Sequence, residues 1–174
     1  RFDAAAFLDR VLRTHRTSAA TGRRARYSNI GFLLLGRLIE VVAKCAYAEF
    51  VRGRILDVVQ CNDPGTGAYL GFDIPRSGHA TGYTRRWSRL GLFIGFLPDP
   101  AHLRSKEGAW IRYRPFHLNG AAYGGLKGNV LGWAPLLRGL ATRDRRLLPS
   151  EAYDAFFAPQ TLTSGVPTGH SISW

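Results

Sequence analysis

The sequence predicts an α+β fold in which helices dominate and the strands are few and short. Apolar residues with helical spacing predict helices over residues 2–14, 30–43, 47–59, 132–141 and 150–157. In the third of these helices, the residues expected to face inward are Phe50, Val51, Ile55, Val58 and Val59. Short strands are predicted only near residues 69–72, 80–84 and 170–174. A chain of 174 residues, of which 45% are apolar, is long enough to form one domain with its own core.

Three of these helices carry recognisable end signals. Asp3 is the expected N-cap of the first helix, and Phe2 can pack against its first turn. Ser150 is the expected N-cap of the last helix. Pro135 is tolerated only in a first helical turn, so the fourth helix is expected to start near Gly132.

The second helix is the most apolar stretch of the chain, and it directly follows Tyr27-Ser28-Asn29. Its 14 residues, 30–43, include only two charged side chains, Arg37 and Glu40. A helix that is apolar on most faces is expected to be buried, and this one is too short to span a bilayer. Ser28 or Asn29 can cap it. We therefore expect a buried central helix that holds the residues at its start rigidly.

The charge balance is strongly basic, at +12, and arginine supplies most of it. One interpretation is attraction to nucleic acid or to an anionic membrane surface. The other is that basic residues are scattered over solvated faces. The basic residues occur in short groups, without a long block or an aromatic-interleaved patch along the sequence. We favour the second interpretation and expect no nucleic-acid partner.

The cysteine and histidine spacings do not indicate a metal site. Cys45 and Cys61 are 16 residues apart, and the five histidines are widely separated. Two buried free thiols are expected, and a disulfide is the alternative in an exported protein. We expect neither a metal ion nor another cofactor.

An apolar run of eight residues, 90–97, begins at Leu90 and ends at Leu97. It is too short to cross a bilayer. One interpretation is a flap packed on the core. The other is an apolar wall of a substrate cleft, or a peripheral membrane contact.

The residues around the second helix resemble a known catalytic motif. Residues 26–40, RYSNIGFLLLGRLIE, resemble the tyrosine-x-asparagine motif of the β-lactamase-related serine hydrolases. That superfamily includes class C β-lactamases, D,D-peptidases and esterases. Residues 47–56, 79–83 and 124–126 are similar to its following helix, its Gly-Tyr segment and its Gly-Gly-Leu turn, in the same order. The resemblance implies a β-lactamase/transpeptidase-like fold, of which this chain covers mainly the helical lobe.

Two other motifs of the superfamily do not occur in the 174 residues. The sequence has no Ser-x-x-Lys, which would supply the nucleophile, and no Lys-Thr-Gly or His-x-Gly. We therefore interpret residues 1–174 as a partial domain of a longer hydrolase. Residues 85–119 are the least family-like and are expected to be an insertion within it.

The resemblance implies acyl-enzyme chemistry on an amide or ester, such as a β-lactam, a D-Ala-D-Ala-like peptide or a carboxylic ester. In that chemistry Tyr27 would be the general base and acid, and Asn29 would bind the substrate's amide carbonyl. A free tyrosine has a pKa of about 10, and the superfamily places a lysine beside it to favour the phenolate. The implied partner is a small-molecule or peptide substrate. The implied location is periplasmic, extracellular or membrane-associated.

A second hypothesis from another class remains open. The chain could belong to a non-catalytic, degenerate relative that binds peptides or anionic polymers. In that case Tyr27 would be a buried tyrosine with a satisfied hydroxyl, and Asn29 an ordinary helix cap. A Ser-x-x-Lys in adjoining sequence would decide between the two hypotheses.

Overall fold

The fold combines seven helices with five short strands in the part of the chain that the structure describes. That part comprises residues 3–16, 20–73, 80–95, 104–114 and 120–171 of a computed structural model. The helices are α1 Ala4–Thr14, α2 Asn29–Ala43, α3 Tyr47–Val51, α4 Arg89–Gly95, α5 Ala121–Gly124, α6 Val130–Ala141 and α7 Ser150–Phe157. The strands are β1 Leu70–Gly71, β2 Tyr83–Arg85, β3 Arg104–Glu107, β4 Trp110–Tyr113 and β5 Lys127–Gly128. A π-helical turn, Arg52–Leu56, continues α3.

The strands form two small antiparallel sheets. β1 pairs with β5, and β4 lies between β2 and β3. The predicted strands near residues 69–72 and 80–84 correspond to β1 and β2. The predicted strand at 170–174 is wrong for His170 and Ser171, which are not in a strand, and residues 172–174 lie outside the described residues.

The core lies where α3, its π-helical turn and β1 meet α6. Its buried members are Val51, Leu56, Val59, Cys61 and Leu70. The predicted inward residues of the third helix are therefore confirmed, but the helix ends at Leu56 and not at Val59, because residues 57–60 form turns.

Both cysteines are free thiols, as expected, but only one of them is buried. Cys61 is completely buried, and burial raises the pKa of its thiol. Cys45 is partly exposed, which corrects the expectation of two buried thiols.

The predicted end signals were right for α1 and wrong for α6 and α7. The Asp3 carboxylate accepts hydrogen bonds from the amides of Ala5 and Ala6. Phe2 lies outside the described residues. Helix α6 begins at Val130 because Asn129 caps it, accepting from the Gly132 amide at 3.0 Å, so Pro135 lies inside the helix.

Ser150 is the first residue of α7 and does not cap it. The N-cap is Pro149, which has no side-chain cap. The Ser150 hydroxyl instead accepts a hydrogen bond from the Arg145 guanidinium, with Nε at 3.0 Å.

Helix α2 is much less buried than its sequence predicts. Gly36 is its one buried residue, and a Cβ there would lie 2.4 Å from the Cβ of Ala122, so α5 packs closely on this side. Helices α1 and α3 also contact α2. Side chains on other faces are exposed: Leu38 by 58% and Val42 by 74%. The expectation of a buried helix is wrong for this chain because the described neighbours cover α2 on one side only.

No helix among the described residues is both long enough and apolar enough to cross a lipid bilayer.

Candidate active site

The site is built on the N terminus of α2. The Ser28 hydroxyl accepts a hydrogen bond from the Gly31 amide at 3.0 Å, which makes Ser28 the N-cap, as the sequence allowed. The cap fixes where the helix begins. Tyr27 therefore lies just before the helix, and Asn29 is its first residue.

Tyr27 projects from this helix start with its side chain largely accessible. The residue is 75% exposed, and its ring centroid lies 5.4 Å from that of Phe32. This contact with the first turn of α2 orients the ring, while the exposure leaves Tyr27 open to a ligand.

A cavity of about 1000 Å³ lies in front of this helix start. One wall is the basic loop before Tyr27 together with the first half of α2, and the other is the C-terminal part of the described chain. The lining residues are Arg24, Ala25, Arg26, Tyr27, Ser28, Gly31, Phe32, Leu34, Leu35, Leu38, Gln160, Thr168, His170 and Ser171.

The second wall is a hairpin formed by residues 160–170. The Gln160 amide donates to the His170 carbonyl at 2.8 Å, and the Thr168 amide donates to the Gln160 carbonyl at 2.9 Å. Gly165 and Gly169 have φ angles of +80° and +77°, a conformation that glycine adopts without strain. The hairpin therefore holds Gln160, Thr168 and His170 together at the cavity.

A second set of contacts ties this hairpin to the loop before Tyr27. The Thr163 amide and hydroxyl both donate to the Gly22 carbonyl, at 2.9 and 3.3 Å. Gly22 has a φ of +80°, and a Cβ at this position would lie 2.4 Å from the Thr163 side chain. Glycine is therefore needed at position 22 for the two walls to approach each other.

The cavity lining combines apolar residues with polar and basic ones. Phe32, Leu34 and Leu38 supply apolar side chains, and the Arg24 and Arg26 guanidiniums carry fixed positive charge. Ligand sites commonly combine an apolar lining with a few placed polar groups. This arrangement can hold an apolar group beside an anionic or hydrogen-bonding one.

Only one of the two residues that the sequence predicted for the site lines the cavity. Tyr27 lines the cavity, whereas Asn29 is exposed at the helix start and is not among the lining residues. Sequence reasoning missed the three hairpin residues Gln160, Thr168 and His170. Gly165 and Gly169 were a signal for the turns of this hairpin, but its contact with Gly22 spans about 140 residues and left no local pattern.

The described residues contain no group of three or more histidine, cysteine or acidic side chains that could hold a metal ion.

The helices and short strands define an α+β, β-lactamase/transpeptidase-like fold, which is also the fold of the solved structures that this chain resembles. All of residues 1–174 match the sequence model of the Beta-lactamase family, and the chain belongs to this family. The sequence has no significant match among curated proteins.

Three solved structures illustrate the structural similarity. The octameric penicillin-binding protein homologue from Pyrococcus abyssi aligns with a TM-score of 0.59 and 23% identity, over 90% of this chain and 34% of that one. The D-amino acid amidase from Ochrobactrum anthropi SV3 aligns with a TM-score of 0.63 and 20% identity, over 91% of this chain and 42% of that one. The penicillin binding protein from Bacillus halodurans aligns with a TM-score of 0.52 and 20% identity, over 88% of this chain and 41% of that one. This chain thus spans 34% to 42% of the length of these proteins.

Proposed function

We propose that this chain is part of a serine hydrolase that acts by acyl-enzyme chemistry on an amide or ester, with Tyr27 as general base and acid. The observation that carries the proposal is the position of Tyr27. In a chain of the Beta-lactamase family, this exposed tyrosine lines a large cavity at the capped start of α2. A general base must be accessible to the proton that it removes, and Tyr27 meets this condition.

The proposed reaction divides the chemical roles between this chain and residues outside it. A serine nucleophile needs a base to take its proton, and the leaving group needs an acid to return one. Since the 174 residues contain no Ser-x-x-Lys, we assign the nucleophile and its lysine to another part of the domain. The Tyr27 phenolate oxygen receives the serine proton and then donates that proton to the leaving group. Asn29 is assigned to the substrate's amide carbonyl on the resemblance to the tyrosine-x-asparagine motif, since it does not itself line the cavity.

This division implies that residues 1–174 are a partial domain. The share of the solved structures that the chain spans, 34% to 42%, supports this interpretation. Residues 85–119 are proposed to be an insertion within the partial domain.

The cavity lining favours an amide or ester substrate that carries both an apolar group and an anionic group. The apolar lining residues can pack against a hydrocarbon or aromatic group of the substrate, and Arg24 and Arg26 can bind a carboxylate. The similarity to a D-amino acid amidase in complex with D-phenylalanine points in the same direction, because that ligand combines an aromatic side chain with a carboxylate.

A non-catalytic relative that binds peptides or anionic polymers is the second candidate. The observation that favours it is the sequence itself, which holds only one of the three catalytic motifs. The two candidates differ in whether a serine of the parent protein becomes acylated.

The experiment is covalent labelling of the parent protein that contains these 174 residues. The parent is treated with a fluorophosphonate probe and with a fluorescent penicillin, and the labelled residue is located by mass spectrometry. The proposal expects a labelled serine within a Ser-x-x-Lys outside residues 1–174, and slower labelling in Tyr27→Phe. A parent that is not labelled above a heat-denatured sample supports the non-catalytic candidate, and label on a serine within residues 1–174 overturns the division of roles.

A further inference from the structure

The three-stranded sheet displays an alternation of aromatic and arginine side chains that is not visible along the sequence. In the antiparallel pairing, Tyr83 lies opposite Arg112, and Arg85 lies opposite Trp110. Residues directly opposite each other share a face of a sheet, and alternate residues of one strand do the same. These four side chains therefore lie on one face, whereas Ile111, which points the other way, is 2% exposed.

This face is accessible to a partner. Tyr83 is 49% exposed and Trp110 is 47% exposed, and both arginines are exposed. Glu107 lies opposite Trp110 on the same face, and its carboxylate pairs with the Arg112 guanidinium at 3.4 Å. The face thus combines two aromatic rings with two cations and one anion.

The turn that follows β2 extends this surface with more apolar groups. Trp87 is 76% exposed, and the Arg86 guanidinium carbon lies 5.1 Å from the centroid of its ring. Leu90 and Leu92, in α4, are 55% and 48% exposed. Within six residues, a tryptophan and two leucines therefore face solvent.

Packing of α4 on the strand holds these apolar residues outside the core. A Cβ at Gly91 would lie 2.2 Å from the Arg85 carbonyl oxygen, so α4 packs against the backbone before it through this glycine. The Ser88 hydroxyl accepts from the Gly91 amide at 3.0 Å and donates to the Arg85 carbonyl at 2.7 Å. For Leu90 and Leu92, the expectation of a flap packed on the core is wrong, because Gly91 is the buried residue here. The side chains of residues 93–95, and residues 96 and 97 altogether, lie outside the described part.

The charge of this region is almost entirely positive. Residues 80–95 and 104–114 contain seven arginines and lysines and a single acidic residue, Glu107. Exposed tryptophan and leucine beside clustered cations are typical of a surface that lies on anionic lipids, with the apolar groups entering the headgroup layer. A nucleic-acid surface would use the cations and aromatic rings but has no use for exposed leucines.

We propose that this basic aromatic surface, composed of Tyr83, Arg85, Trp87, Leu90, Trp110 and Arg112, binds an anionic membrane surface. The binding is peripheral: arginines contact lipid phosphates, and Trp87 and Leu90 insert among the headgroups. The surface is separate from the Tyr27 cavity in its residues, and the proposal does not depend on the hydrolase function.

The first test measures the apolar contribution by co-sedimentation of the parent protein with lipid vesicles. The wild-type protein is expected to sediment with phosphatidylcholine vesicles that contain phosphatidylglycerol, and not with pure phosphatidylcholine. Trp87→Ser combined with Leu90→Ser is expected to weaken the partition coefficient by about tenfold or more. The matched control is Leu12→Ser with Val130→Ser, one residue on α1 and one on α6 that are 63% and 78% exposed, against 76% and 55% for the test pair. This control should bind as the wild type does.

The second test measures whether the position of the charges matters. Arg85→Gln with Arg112→Gln is expected to weaken binding by about tenfold and to reduce its dependence on salt concentration. Arg10→Gln with Arg54→Gln removes the same charge from exposed positions elsewhere and is the control. This control is expected to bind nearly as tightly as the wild type. Circular dichroism and melting temperatures verify that all four variants are folded.

Three results would overturn the proposal. Loss of binding in the Leu12 and Val130 control, with retention in the Trp87 and Leu90 variant, would assign the contact to another surface. An equal loss of vesicle binding in both arginine variants would show that binding depends on the net charge and not on the position of the charges. Binding of a single-stranded oligonucleotide at a salt concentration at which vesicles are not bound would identify a nucleic-acid surface instead.

Discussion

At the scale of single residues, one hydroxyl determines the geometry of the candidate active site. Because the Ser28 hydroxyl caps α2, Tyr27 stays outside the helix and Asn29 enters it. The two residues with proposed chemical roles therefore differ in their surroundings, and only Tyr27 lines the cavity. This difference suggests that replacing them affects different steps.

The first prediction concerns Tyr27 and Asn29 in the parent protein. Tyr27→Phe is expected to lower the acylation rate by about 10²- to 10⁴-fold, the usual effect of losing a general acid–base group. Asn29→Ala is expected to lower the acylation rate by a smaller factor, which varies with the substrate, since the proposed role of Asn29 is positioning. Stopped-flow acylation with an amide and an ester substrate measures both effects. Unchanged acylation in a folded Tyr27→Phe variant would refute the assignment of Tyr27.

Ser28→Ala is the control for this comparison because it weakens the helix start without removing either proposed group. It is expected to destabilise the fold by about 1 kcal/mol, as the loss of a serine N-cap usually does. Thermal melts of the three variants separate this loss of stability from a loss of chemistry.

The second prediction concerns Asp144 and acid stability. Hydrogen bonds from the Arg146 side chain and backbone lower the pKa of Asp144 to about 2, from an ordinary value near 3.8. Because the folded pKa is depressed, the stabilisation is fully present above about pH 4 and is lost as the pH falls toward 2. The melting temperature should therefore decline over this interval in the wild type, and decline less in Asp144→Asn.

Asp9→Asn is the matched control for Asp144→Asn. Asp9 also pairs with an arginine, Arg13, at 2.9 Å, but its side chain is 61% exposed, whereas that of Asp144 is 20% exposed. Exposed pairs contribute little to stability, so this variant should follow the wild-type decline. Parallel curves for all three proteins between pH 4 and pH 2 would show that Asp144 has no special role.

At the scale of elements, the approach of α6 to β1 depends on one glycine. A Cβ at Gly132 would lie 2.1 Å from the Tyr69 carbonyl oxygen, and backbone cannot move aside as a flexible side chain can. Asn129 strengthens the same junction, because its side-chain oxygen accepts from the Tyr69 amide at 3.2 Å as well as from Gly132. The core contacts of α6 depend on this close packing.

The third prediction follows from this contact. Gly132→Ala should destabilise the protein by about 1–3 kcal/mol, the usual cost of overpacking. Gly53→Ala is the control: a Cβ there meets nothing within 4 Å, so the change should be neutral or stabilise by up to about 1 kcal/mol. Urea unfolding of both variants measures the difference. If Gly132→Ala is as stable as Gly53→Ala, then α6 and β1 are not packed as closely at Gly132 as described here.

The elements that sequence could predict are those whose signals are local. The Asp3 cap and the inward residues of α3 were predicted correctly, and Ser28 was one of the two caps considered for α2, because each of these depends on neighbours within a few residues. The start of α6 was predicted wrongly because Asn129 was not recognised as its cap. The Asn129 side chain also accepts a hydrogen bond from the Tyr69 amide, a contact between distant parts of the sequence.

The candidate site and the basic aromatic surface were only partly predictable, for the same reason. Tyr27 could be identified from a motif, but Gln160 and His170 reach its cavity through a contact between distant segments. The pairing of Arg85 with Trp110 is set by strand register. A patch that alternates aromatic and basic side chains therefore forms on the folded surface although the sequence has no such block.

At the scale of the whole molecule, the open face of α2 is the main departure from the predicted fold. Exposing so many apolar side chains on one helix is unfavourable for a domain in water. The chain spans 34% to 42% of the length of the three solved structures compared above, and we propose that the remaining part of the fold covers this face. The isolated chain should accordingly be only marginally stable, with a melting temperature below about 60 °C.

The last prediction is that the isolated chain of 174 residues does not catalyse hydrolysis. It has Tyr27 and the cavity, but its sequence has neither Ser-x-x-Lys nor Lys-Thr-Gly. In serine hydrolases, loss of the nucleophile and its partners removes most of the rate enhancement, about 10⁶-fold in a well-studied protease. Assays with nitrocefin and a p-nitrophenyl ester should therefore give no turnover above a heat-denatured sample, whereas the parent protein should be active under the same conditions. Turnover by the isolated chain that disappears in Tyr27→Phe would place a nucleophile within these residues and would contradict the proposed division of roles.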